Sequence, residues 1–225
     1  MSSLPVTPRT RLRRRPERGS QERTLIYEIL DEGLVCHVSF VHEAHPVVLP
    51  MAYVRVDDHI YLHGSTKNRM LDVLGAGAPA CVAVTLLDGL VLARSQFHHS
   101  INYRSVAIFA QAEDVTDPAR KARVLAALCE HLVTGRSSES RAPTRQELAE
   151  HARARELGLP ILEASAKCRS GPPLDSADDL PLPHWAGVLP LALRAGAPIA
   201  DPQLAPGVLA PTWRLERRGT SEPPH

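Results

Sequence analysis

Between residues 34 and 115 the chain is a succession of short apolar segments alternating with period two, joined by turns and interrupted by one brief helical stretch. Residues 34–41 place Leu34, Cys36, Val38 and Phe40 on one face and Val35, His37, Ser39 and Val41 on the other, the pattern of a strand with one buried side. A second strand is expected over 47–56 despite Pro50, which has no N–H to give a ladder and so needs an edge, a bulge or a point where no ladder donor is required. Asp57-Asp58 leads into a third over 59–63, and residues 68–74 read as a short helix. Strands follow over 81–87, 90–97 and 103–115, with Asp88-Gly89 as a turn between the first two. Six strand candidates in about eighty residues, separated mainly by turns, define a mainly β (α+β) chain built as an antiparallel barrel rather than as βαβ units.

Helices flank this run. Leu25, Ile26, Ile29 and Leu30 recur at helical spacing before Gly33. Asp117 can cap a longer helix whose first turn holds Pro118 and whose apolar stripe is Val124, Leu125, Leu128 and Leu132. Thr144 with Glu147 has capping-box spacing and opens another helix expected to run to about residue 157, followed by late strands over 161–167 and 185–193. Residues 1–20 mix Ser, Pro and Arg without periodicity and read as a flexible basic arm. Residues 21–194 form the domain, and 195–225 a tail rich in Pro, Ala and Gly.

With 225 residues the chain is sized for one well-buried domain. A net charge of +1, from 26 basic and 25 acidic residues, supplies no field for nucleic acid or an anionic membrane, and no 18-residue apolar run is present. The arginines of the arm are not followed by the apolar core of a secretory signal. Cys36, Cys81, Cys129 and Cys168 form no Cys-x-x-Cys pair, so reduced thiols in a cytoplasmic protein are expected. No metal site is expected: His98 and His99 are adjacent, and neighbouring strand residues point to opposite faces.

Chemistry concentrates where the strand Tyr61-Leu62-His63 ends in Gly64-Ser65-Thr66-Lys67-Asn68-Arg69-Met70. Two hydroxyls and two cations at the mouth of a short helix suit a phosphate monoester; the alternative is that Ser65 or Thr66 caps the helix and the cations are solvated. Asn102 and Arg104 share one strand face and Tyr103 takes the other, which reads either as a ligand contact or as a polar network at a barrel rim.

These segments, with Leu49-Pro50-Met51-Ala52-Tyr53, resemble the pyridoxamine-phosphate-oxidase-like FMN-binding split barrels, in particular the branch of nitroimidazole-reductase-type flavoproteins. Val35-Cys36-His37-Val38, residues 88–95, 99–106 and 165–173, and Trp185-Ala186-Gly187-Val188-Leu189-Pro190-Leu191 extend the resemblance over roughly residues 17–193. It implies a homodimer whose interface cradles FMN. Leu49, Pro50, Met51, Ala52 and Tyr53 would line the flavin ring, Leu62, His63 and Gly64 would lie beside ring and ribityl chain, and Ser65, Lys67 and Arg69 would hold the phosphate. His63 would either deliver a proton or bond the ribityl chain. Asn102 and Arg104 are further cofactor candidates. Lys167, Arg169 and Trp185 would contact FMN from the second subunit, the alternative being a solvated strand end and a core aromatic.

The sequence departs from this pattern at Ala110, at Met51 and in the expected helical stretch 153–157, and the tail lacks the arginine-rich substrate signature of the vitamin B6 oxidases, so that reaction is not assigned. The activity the resemblance implies is an FMN-dependent oxidoreductase passing hydride or electrons to a small acceptor such as a nitroaromatic or quinone-like compound. A non-catalytic flavin carrier or sensor and a haem-handling protein on the same barrel are the alternatives.

Overall fold

The computed structural model describes residues 3–149 and 154–210. After β1 (Gly19–Ser20) and α1 (Arg23–Glu32) come β2 (Val35–His42), β3 (His45–Val56), β4 (His59–Ser65), α2 (Arg69–Gly75), β5 (Pro79–Leu92), β6 (Ser100–Gln111) and β7 (Glu113–Asp114). Then follow α3 (Pro118–Leu132), α4 (Arg145–Ala149), β8 (Ala154–Pro160), β9 (Ala164–Arg169) and β10 (Gly187–Pro190). The strands form one antiparallel sheet in the order β1-β9-β6-β5-β2-β3-β4-β8-β7, with β10 added to β5.

Period two decides which side is core. Cys36, Val38 and Phe40 of β2 pack with Val82, Val84, Val106 and Ile108 under α1, whose Ile26, Ile29 and Leu30 are fully buried, each side chain worth about 1.5–3 kcal/mol. The helix α2 adds Met70, Leu71 and Leu74. The helix α3, capped by the Asp117 carboxylate on the amides of Ala119 and Arg120, covers part of the outer face through Val124 against Val54, Tyr61 and Val115. At Pro50 the strand β3 pairs only with β2, because its ladder to β4 begins at Tyr53, so the proline sits on a stretch with one open edge.

Three expectations are revised. Asp88-Gly89 is no turn: β5 runs through it with a bulge between Leu87 and Gly89. Arg104 holds the Asp88 carboxylate at 2.8 Å, and Gly89 lets β10 approach, since a Cβ there would lie 3.0 Å from Val188 and 3.1 Å from the Leu189 carbonyl. The helix expected to residue 157 ends in α4; residues 150–153 lie outside the described ones, and β8 follows, where Leu157 and Leu159, with Ile161 just beyond, alternate as buried side chains. The Thr144–Glu147 capping box itself forms, each backbone N–H bonded to the other residue's side chain.

Residues 3–20, read as a flexible arm, lie along the barrel. Leu4 and Thr10 are buried, Thr7 and Arg9 bind the Glu163 carboxylate, and Gly19 and Ser20 pair with Lys167 and Ala166.

Candidate functional site

At the end of β4 the backbone turns into α2 through residues 66–68, and the helix is capped by Asn68, whose Oδ1 accepts from the Met70 amide at 3.0 Å. Neither Ser65 nor Thr66 caps it. Ser65 is exposed and its Oγ accepts from the Lys67 amide at 3.2 Å. Lys67 and Arg69 are exposed and make no ion pair among the described residues. Most other arginines folded against the barrel are paired: Arg55 with Asp31, Arg94 with Asp175, Arg104 with Glu32 and Asp88, Arg155 with Asp114.

His63, two residues earlier, is about one-third exposed, and its Nδ1 lies 3.0 Å from Glu156 Oε1 on β8. The other carboxylate oxygen lies 3.3 Å from Lys121 Nζ, and both Lys121 and Glu156 are buried. Burial alone pushes the Glu156 carboxyl up, but the His63 hydrogen bond and the Lys121 charge outweigh it and hold it below the usual carboxylate value. Beside this triad opens a cavity of about 400 Å³ lined by Thr66, Asp72, Thr116, Lys121, Arg155 and Glu156, among others. Arg155 lies across the end of α2, donating to the Leu71 carbonyl at 3.2 Å; a Cβ on Gly75 would fall 2.1 Å from its Nη2.

Leu49 to Tyr53 divide by face. Leu49 and Met51 turn to the core, and Tyr53 is fully buried with its hydroxyl on the Leu30 carbonyl at 2.6 Å. Pro50 and Ala52 face outward, on a surface continued by Val35, Val41 and Val48, which are 47%, 60% and 56% exposed. The strands β2 and β3 thus present an uncovered apolar face, with His37 between Pro50 and Ala83. Leu62 is fully buried, and Gly64 lies next to Leu71 and Met51.

The remaining candidates form a second group at the far end of the strand order. Arg104 is held by two carboxylates, which together raise its pKa. Asn102 donates to the Gly171 carbonyl at 3.1 Å and accepts from the buried Arg169, which also donates to the Pro172 carbonyl at 3.3 Å. Lys167 donates to the Arg14 carbonyl at 3.4 Å. Trp185 is not a core aromatic: it is 68% exposed and its indole packs over Gly187. His63, Ser65, Lys67 and Arg69 are thus brought together with one another, and Asn102 with Arg169.

Residues 22–167 match the family model described as pyridoxamine 5'-phosphate oxidase. The chain belongs to this family. Among solved structures of the fold, the flavocytochrome Anf3 from Azotobacter vinelandii is 34% identical, with a TM-score of 0.82 over 92% of this chain and 94% of that one. The FAD and haem binding protein from Mycobacterium smegmatis is 38% identical, with a TM-score of 0.80 over 87% and 94%. A putative 5-nitroimidazole antibiotic resistance protein from Bacteroides thetaiotaomicron shares the fold at 17% identity, with a TM-score of 0.55 over 66% and 85%. No curated protein sequence matches the chain.

Within this pyridoxamine 5'-phosphate oxidase fold, sequence reasoning missed Glu156 and Lys121. Glu156 fell inside the expected helix; the alternation of Leu157, Leu159 and Ile161 was the signal for a strand, and a strand puts it beside His63. Lys121 lies three residues before Val124 and seven before Leu128, so it interrupts the apolar stripe of α3, where a lysine requires a buried partner.

Proposed function

We propose that this chain is a flavin-binding redox protein, with the flavin phosphate on the loop of residues 64–69 and the ring on the outer face of β2 and β3. The observation that carries the reading is the pairing of two uncompensated cations, Lys67 and Arg69, on the loop after β4, with an open apolar face on β2 and on β3, the strand that pairs with β4. The residues present fit the group: Ser65, Lys67 and Arg69 offer donors for one phosphate, which suits FMN, while Val35, Pro50 and Ala52 offer a flat apolar floor. A second copy of the chain would cover that floor, which makes the protein a homodimer in this reading. Bound flavin supplies hydride and electron transfer to a small acceptor, a nitroaromatic or quinone-like compound. Glu156 accepts from His63 Nδ1, leaving Nε2 to hold or release a proton at the edge of that face.

Haem is a second reading, favoured by the names of the two relatives at 34% and 38% identity and by one residue of this chain. His37 is exposed in the middle of the apolar face, and its ring makes no hydrogen bond among the described residues, which leaves a ring nitrogen free for an axial bond. The absorption spectrum of the purified protein, with the released chromophore identified by mass, tests both. Flavin bands with about one flavin per chain support the first reading and an added Soret band the second; a colourless protein that takes up neither on titration sinks both. A monomer by light scattering that still holds flavin would remove the shared floor.

A further inference from the structure

Six polar or charged residues are buried in the described chain, three of them ionic. Lys121 and Glu156 neutralise each other; Arg169, 8% exposed, has no carboxylate partner among the described residues. Its two terminal nitrogens donate to neutral acceptors, the Asn102 amide oxygen and the Pro172 carbonyl, and its Nε donates to nothing among the described residues. A buried guanidinium without a counter-ion is costly, since desolvation is not repaid by an opposite charge. Its surroundings add to the cost: burial and then the nearby Arg18 charge lower its pKa. Lys167, on the same strand two residues away, bonds only a carbonyl, and Arg11, Arg13, Arg14 and Arg18 make no ion pair among the described residues. In a chain of net charge +1 this concentration is local. It is also built, because the segment carrying Arg18 is pinned by the pairing of β1 with β9 and by the salt bridge from Arg9 to Glu163.

We propose that Arg169, Arg18 and Lys167 form a second anion-binding site, separate from the Lys67 and Arg69 loop, that takes the phosphate or carboxylate group of a bound cofactor. The proposal rests on the flavin and haem readings for the identity of that cofactor, not for the existence of the site. A single phosphate is already provided for by residues 64–69. A second anion site therefore matches a cofactor with a further anionic group: the second phosphate of a dinucleotide flavin, or a propionate of haem.

The test uses full-length protein carrying Lys67→Ala and Arg69→Ala, which silences the first anion site, with inorganic pyrophosphate as the probe in calorimetry and thermal melting. Pyrophosphate should bind and raise Tm, and adding Arg18→Gln should weaken it at least about tenfold, the loss of one charge-assisted hydrogen bond. Arg18 lies in the surface arm, so this variant keeps the Arg169 contacts. Unchanged pyrophosphate binding in Arg18→Gln, or none before it is introduced, overturns the site. In otherwise wild-type protein, Arg18→Gln weakening FAD but not FMN assigns the dinucleotide phosphate. Weakening of haem but not of haem dimethyl ester assigns the propionate. A protein that binds pyrophosphate through Arg18 yet takes up neither flavin nor haem keeps the site and loses the functional reading.

Discussion

Two buried cations near opposite ends of the strand order are solved in opposite ways. Lys121, on α3, meets Glu156 at 3.3 Å, and Glu156 in turn accepts from His63, so that centre is closed within the chain. Arg169, on β9, meets an amide and a carbonyl. Both are almost equally hidden from water, so burial does not distinguish them; the presence of an opposite charge does. A closed centre serves to hold a shape and orient an imidazole, whereas an open one stores affinity for something the chain does not contain.

The contrast can be broken most sharply at Lys121. Replacing it with Ala leaves the Glu156 carboxylate buried without its cation and should cost about 3–5 kcal/mol in chemical denaturation. Lys121→Met combined with Glu156→Leu should recover most of that loss; equal stability of the single variant and the wild type would mean that the pair is not closed. Next in size is the exposed loop. Lys67→Ala with Arg69→Ala should weaken FMN about 100-fold while leaving riboflavin nearly unchanged, because only FMN carries the phosphate. Equal losses for the two ligands would move the phosphate elsewhere.

Acid sharpens the comparison further. Because the folded-state pKa of Glu156 lies below its ordinary 4.5, the stability it contributes is fully present above that value and is lost as pH falls through the lower folded value. Melting curves recorded from pH 6 to 3 should show this component in the wild type and lack it in the double variant Lys121→Met, Glu156→Leu, which has no ion pair to titrate. The smallest effect is expected at the open centre: without added anion, Arg169→Met should change stability by no more than about 1 kcal/mol, since relief of a buried charge offsets two lost hydrogen bonds. A loss as large as that at Lys121 would show that the neutral acceptors suffice.

The strands were legible wherever one face is buried, because alternation then appears directly in the residue types, as in Cys36, Val38 and Phe40. It failed where local chemistry imitates another element. Asp88-Gly89 has the composition of a turn, but the partners that keep the strand straight, Arg104 and β10, are distant in sequence. The capping box at Thr144 correctly marks a helix start, yet nothing in it says how soon the helix ends. In the candidate site, the grouping of Ser65, Lys67 and Arg69 at the start of α2 could be read because these residues are nearly consecutive. The His63–Glu156 contact could not, since 93 residues separate its members and only strand pairing joins them. Tyr53, expected to line the flavin ring, is interior to the chain, and the exposure of Trp185 removes the core-aromatic alternative for it.

The family match begins at residue 22, just after the segment that pairs along β9. That segment is the rim piece of the sheet, and a chain begun at residue 21 would bare the backbone amides and carbonyls of β9 to any other strand that drifts past. It would also strip Glu163 of Arg9 and Thr7 and uncover the groove filled by Leu4. Trimming the arm by design or by protease should therefore show itself first as loss of solubility: the stretch that looks most dispensable in composition works as the barrel's guard against self-association.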